Sequence, residues 1–96
     1  MKTIQQGVDL RDSVKWFATE MERVLKTNDY KGGWKNCTLQ YLSMRLTQER
    51  KELKEAIKSN DAEEIINECC DIANFAMMIA ERFKSQIKEV KNEKRN

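Results

Sequence analysis

The chain has 96 residues, 35% of them charged and 40% hydrophobic, with a net charge of +2 and an even spread of basic residues. That balance fits one small soluble domain and excludes a disordered polymer and a membrane-spanning chain, while it neither suggests nor excludes a nucleic-acid partner. With no proline and only three glycines, a fold built on many tight turns is also excluded, and long helices are expected.

The first expected helix runs from about Asp9 to Lys26, capped by Asp9, with Leu10, Val14, Phe17, Met21 and Val24 or Leu25 at helical spacing. Trp16 lies beside these positions and is expected to pack. The segment "TNDYKGGWKN" then breaks the period, and Gly32-Gly33 predicts a loop. Trp34 offers a flat apolar face between Lys31 and Lys35, so a base could stack on the indole while the ammonium groups meet phosphates. Closure of the core beneath the loop by Trp34 is an equal alternative. No GxxxxGK[ST] phosphate loop is present.

The second helix is expected from about Thr38 to Lys58, with its seam at Leu39, Leu42, Leu46, Leu53, Ala56 and Ile57. One step of the seam is missing, and Glu49 fills it; Glu52 follows one turn later on the same side. Asn60 with Glu63 reads as a capping box that opens a third helix reaching to about Lys91. Its stripe is Ile65, Cys69, Ile72, Ala76, Ile79, Phe83, Ile87 and Val90. From Ile72 to Ala80 only Asn74 is polar, which predicts a central helix that is apolar nearly all round. Glu68 and Asp71 sit within this oily segment, in line with Phe75 and Met78.

Two acidic pairs at i,i+3 spacing therefore fall on successive helices: Glu49 with Glu52, and Glu68 with Asp71. A short connection makes those helices antiparallel and sets the pairs level with each other. Other acids have helical basic neighbours, as Glu22 has Lys26, Glu55 has Lys51 and Lys58, and Glu81 has Lys84. Glu52, Glu68 and Asp71 have none, and Glu49 has only Arg45. Four facing acids on apolar stripes would repel, and each is costly to desolvate, by roughly several kcal/mol. A cation relieves both costs, and an all-oxygen ligand set selects a hard divalent ion, Mg²⁺ or Mn²⁺. The chain has no histidine, which removes a Glu-x-x-His di-iron site. The competing reading places both pairs at a wet helix edge of a non-enzymatic dimerisation or interaction module.

The three cysteines, Cys37, Cys69 and Cys70, read as reduced thiols packing as small hydrophobes. The opening residues contain no apolar run of signal-peptide length, so a cytoplasmic protein is expected, with no membrane partner.

At "ERKELKEAI" (Glu49, Glu52) and "ECCDIANFAMMI" (Glu68, Asp71) the sequence resembles the MazG-like, all-α nucleoside triphosphate pyrophosphohydrolase superfamily, marked by ExxE, a spacer and ExxD. "KEVKNEKR" adds a weaker match through Lys88, Asn92 and Arg95. The resemblance implies an all-α antiparallel helical bundle, here one domain over residues 1–96 with its core at about 9–91 and a polar C-terminal tail, completed by dimer or tetramer formation. It implies hydrolysis of an NTP or dNTP to the monophosphate and pyrophosphate. Glu49, Glu52, Glu68 and Asp71 would hold Mg²⁺, with Mn²⁺ as a substitute, and Glu49 or Glu52 would take the proton of the attacking water. Lys31, Trp34, Lys35, Lys88, Asn92 and Arg95 would contact the substrate.

Overall fold

The computed structural model describes residues 8–29 and 32–87. Three helices account for most of them: α1 (Asp12–Thr27), α2 (Leu39–Ser59) and α3 (Ala62–Arg82), with no strand among the described residues. The all-α architecture matches the expectation from the apolar periodicity.

The ends of α2 and α3 are fixed by side chains. The Thr38 hydroxyl accepts from the Tyr41 amide, and the Asp61 carboxylate accepts from the Glu64 amide. Asn60 closes α2 instead of opening α3: it takes the left-handed conformation, φ 60°, and its amide reaches back to Ala56 and Ile57. The expected capping box is thus displaced by one residue. Two adjacent residues divide the work, one suited to a left-handed stop and one to a start. Asn60 and Asp61 alone join the helices, so α2 and α3 form an antiparallel hairpin.

α1 begins at Asp12 with Arg11 as its N-cap and no side-chain bond there, so the Asp9 cap is not formed. α3 stops at Arg82, short of the expected Lys91. Phe83 ends it, and Lys84–Ile87 takes a separate helical turn.

α3 is the central element. α2 packs along it and α1 packs against it, while α1 and α2 do not pack on each other among the described residues. Two polar bonds help to seat α1. The Arg23 guanidinium donates to Asn67 Oδ1 at 2.8 Å, and the Asn74 amide donates to the Met21 carbonyl at 3.2 Å. The buried apolar residues are Val24, Leu42, Ala56, Cys70 and Met78. On α3 the most buried line is therefore Cys70, Asn74 and Met78. The stripe through Ile65, Cys69, Ile72 and Ile79 is only half-buried, and Phe83 and Ile87 are exposed. Leu10, Val14, Trp16, Leu39 and Ile57 are also exposed. Trp16, at 52% exposure, does not pack as expected and lies tilted against Phe17.

Candidate metal centre and the cavity beside it

Helical geometry places Glu49 on the α2 face that meets α3, where a seam residue would otherwise stand. It is only 3% exposed. Its neighbours across the hairpin are Glu68 and Asp71, and one carboxylate oxygen from each of the three lies within 4.8 Å of the others. Glu49 Oε2 accepts from Arg45 Nη2 at 2.8 Å. Glu49 Oε1 and Glu68 Oε1 are buried without any hydrogen-bond partner.

Such orphaned oxygens are costly, and the cluster's titration reflects it. Burial, then the closeness of Glu49 and Asp71, pushes Glu68 up from 4.5 to about 7. Burial and then the Glu49 carboxylate push Asp71 up from 3.8 to about 6, and Arg45 pulls it only partly back. Three oxygen donors with two unpaired buried atoms and, among the described residues, no cation in contact except Arg45 suit a hard divalent ion in donor type and charge.

The two acidic pairs do not contribute equally. Glu49, Glu68 and Asp71 form the cluster, whereas Glu52 is exposed and stands outside it. Glu52 is still near enough for its charge to raise both Glu68 and Asp71. Among the described residues neither Glu68 nor Asp71 forms an ion pair, and Arg45 is near enough only to lower Asp71 in part. The ion pairs among the described residues are Arg23–Glu20, Arg45–Glu49 and Lys58–Glu55.

Because α1 and α2 both lie on α3 without touching, a gap opens between them. This is a cavity of about 420 Å³, the size of a small-ligand site. The α3 wall carries Asp71, Asn74, Phe75 and Met78, and the α2 wall carries Tyr41, Leu42, Arg45 and Glu49. Val24 and Leu25 of α1 close one side, and Gly32, Gly33, Trp34 and Cys37 close the top. Glu49 and Asp71 thus line a slot that also has aromatic and aliphatic walls.

The loop over this slot is tied to the end of α3. The Trp34 indole N–H donates to Glu81 at 3.0 Å, and Arg82 donates to the Cys37 carbonyl at 2.6 Å. Gly32 has φ 88°, a conformation that favours glycine at this turn. Trp34 lines the cavity. Lys35 instead faces a second, more open cavity shared with Asn36 and Glu81. Lys31, Lys88, Asn92 and Arg95 lie outside the described residues.

Tyr41 and Phe75 are the wall residues that the sequence reading left without a role. Tyr41, Arg45 and Glu49 recur every four residues on one face of α2, and Phe75 stands four after Asp71. That spacing was a usable signal. Asn74 donates to the α1 backbone, which settles its amide orientation and leaves Oδ1 as a third buried oxygen without a partner. Cys70 is fully buried with its thiol pushed up by burial, as expected for a packing residue. No described helix is long and apolar enough to cross a membrane.

The family described as phosphoribosyl-ATP pyrophosphohydrolase matches residues 18–94, a span that includes all four acids and the walls of the cavity. No curated protein and no solved structure was found to match the chain.

Proposed function

Because the chain belongs to the phosphoribosyl-ATP pyrophosphohydrolase family, within the MazG-like all-α nucleoside triphosphate pyrophosphohydrolase superfamily, we propose that it is a Mg²⁺-dependent enzyme that converts an NTP or dNTP to the monophosphate and pyrophosphate. Family membership itself makes it a pyrophosphohydrolase acting on a nucleotide-like substrate. The cation and the triphosphate chemistry rest on one observation above all: buried Glu49, within 4.8 Å of Glu68 and Asp71, in a cluster with two unpaired buried oxygens.

Glu49, Glu68 and Asp71 would hold the divalent cation, with Glu52 completing the set from the exposed rim. Mn²⁺ would serve as a substitute for Mg²⁺ on the same oxygen donors. When bound, the cation offsets the acids' charge, polarises phosphoryl oxygens and lowers the pKa of an attacking water. Glu49 and Glu52 are the candidates for taking that water's proton. Glu52 is the better placed, because Glu49 is committed through Oε2 to Arg45 whereas Glu52 is exposed. The bond that breaks is the anhydride between the α- and β-phosphates, the cleavage that yields a monophosphate and pyrophosphate.

The nucleoside end would occupy the cavity, with the base against Trp34, Tyr41 or Phe75 and the sugar towards Leu42 and Met78. Phosphates beside Glu49 and Asp71 and the base beside the aromatic side chains would suit the mixed lining of the slot. Lys31, Lys35, Lys88, Asn92 and Arg95 are proposed to reach the phosphates. The half-covered stripe of α3 and the exposed apolar residues of α1 support a dimer or tetramer in which these faces meet. The cytoplasm, where nucleotides are abundant, is the proposed location.

Pyrophosphate release from a panel of NTPs, dNTPs and phosphoribosyl-ATP, with Mg²⁺ or EDTA, tests the reading. Release with Mg²⁺ and none with EDTA is expected. Absence of release from every triphosphate would overturn it. Release from phosphoribosyl-ATP alone would move the substrate to the one in the family's own name.

A further inference from the structure

Arg45 is held at three points by the same fold that buries the acids. Its Nη2 donates to Glu49 Oε2 at 2.8 Å, and its Nη1 donates to Gln48 Oε1 at 2.6 Å. The guanidinium carbon sits 5.2 Å from the centre of the Phe75 ring, one turn beyond Asp71 on α3. Gln48 and Glu49 belong to α2 and Phe75 to α3, so the guanidinium plane is set across the hairpin. A planar fork with separate nitrogens, stacked on a ring, is a geometry that arginine makes and lysine does not.

We propose that Arg45 is a positioning residue for the cation site: it grips Glu49 by one carboxylate oxygen and leaves the buried, unpaired Oε1 free for a divalent cation. The inference rests on the metal-site reading above. Without Arg45, Glu49 would face Glu68 and Asp71 with nothing to hold it there, and its rotamer freedom would have to be lost when the cation binds. With Arg45, that ordering is complete before binding. Residues that orient metal ligands in this way carry roughly ten- to hundredfold of metal affinity.

A purely electrostatic role for Arg45 makes the opposite prediction. A guanidinium so near the acids repels a divalent cation, so removing its charge should tighten binding. The direction of change therefore separates the two roles.

The test is Mn²⁺ binding to the full chain, read by the paramagnetic resonance of free Mn²⁺, for wild type, Arg45→Met, Arg45→Lys and Gln48→Ala. Melting temperatures of the metal-free proteins are read in parallel. The expected result is a Kd raised about tenfold or more in Arg45→Met, with a smaller rise in Arg45→Lys and in Gln48→Ala. An Arg45→Met protein that binds Mn²⁺ as tightly as wild type, or more tightly, overturns the proposal. So does a lower melting temperature with an unchanged Kd, the signature of a merely structural ion pair. If Arg45→Met fails to fold, wild-type affinity in both Arg45→Lys and Gln48→Ala overturns it equally. If wild type itself binds no Mn²⁺, the metal-site reading fails, and this inference fails with it.

Discussion

The α2–α3 hairpin and α1 carry apolar stripes of the same spacing, yet the fold treats them differently. In the hairpin, both helix starts are capped by side chains and the seam is closed by Leu42, Ala56 and Cys70. In α1 the start has no side-chain cap, Val24 is the buried residue, and Val14 and Trp16 face outward, as does Leu10 just before the helix. The hairpin spends its burial on holding three carboxylates together, while α1 borders the cavity with one end and presents apolar surface with the other. Apolar periodicity thus marks a helix face that needs covering without saying what covers it. Within the hairpin the cover is the neighbouring helix; for the outer part of α1 no described residue supplies one.

The largest effect that would sharpen this contrast concerns activity. Asp71→Asn and Glu68→Gln should each lower pyrophosphate release by on the order of a hundredfold or more, as expected when charge stabilisation at the reacting groups is lost. Their metal-free melting temperatures should hold or rise, because repulsion is relieved. An acid of purely structural value would do the reverse, since losing it strands its partner. Activity in a pyrophosphate assay and melting in EDTA give both readings from the same samples.

Packing comes next. Leu42, at 1% exposure, should cost roughly 2–5 kcal/mol when changed to Ala. Trp16→Ala should stay within about 0.5 kcal/mol at dilutions where the chain is a protomer. Urea unfolding at several protein concentrations measures both. A Trp16→Ala loss that approaches the Leu42 value and grows with concentration would show that a second copy covers α1.

The acids should also set a pH dependence. Glu68 is raised from 4.5 to about 7 and Asp71 from 3.8 to about 6 in the folded protein. Both therefore bind their protons more tightly when folded, and the stability this contributes is present below the unfolded values. It is lost as pH rises through the folded values, so the metal-free protein should weaken from about pH 4 to about pH 7. Excess Mg²⁺, which favours the ionised acids, should reverse the slope. Melting temperatures across that range, with and without Mg²⁺, check the sign.

The smallest effect separates the helix starts. Asp61→Ala removes a cap and should cost about 1 kcal/mol, while Asp9→Ala should cost close to nothing, because α1 has no side-chain cap.

The acid cluster was legible in the sequence because i,i+3 spacing fixes a shared face and a two-residue connection fixes the level of one helix against the next. The difference between Glu52 and the buried acids was not legible, since spacing gives a side of the helix but not the depth: Glu49 falls on the seam and Glu52 beyond its edge. The helix ends were read less well. Asn60 and Asp61 can each serve at a helix boundary, and only the left-handed backbone at Asn60 assigns the roles. The stop at Phe83 has no glycine or proline to announce it. It coincides with Glu81 and Arg82 turning to the loop, contacts across more than forty residues that no local pattern encodes. The cavity was out of reach for the same reason, because it is the space left where α1 and α2 fail to meet.

Whether Glu49, Glu68 and Asp71 hold a divalent cation is measured most directly by the wild-type melting temperature in EDTA and in Mg²⁺. A cation bound only by the folded chain stabilises it by about 2.7 kcal/mol at a hundredfold excess over Kd. A clear rise in melting temperature with Mg²⁺, absent in Asp71→Asn, is the predicted result. Identical melting in EDTA and saturating Mg²⁺, with Asp71→Asn melting lower in both, would contradict the metal centre and leave the acids as structural groups of an interaction module.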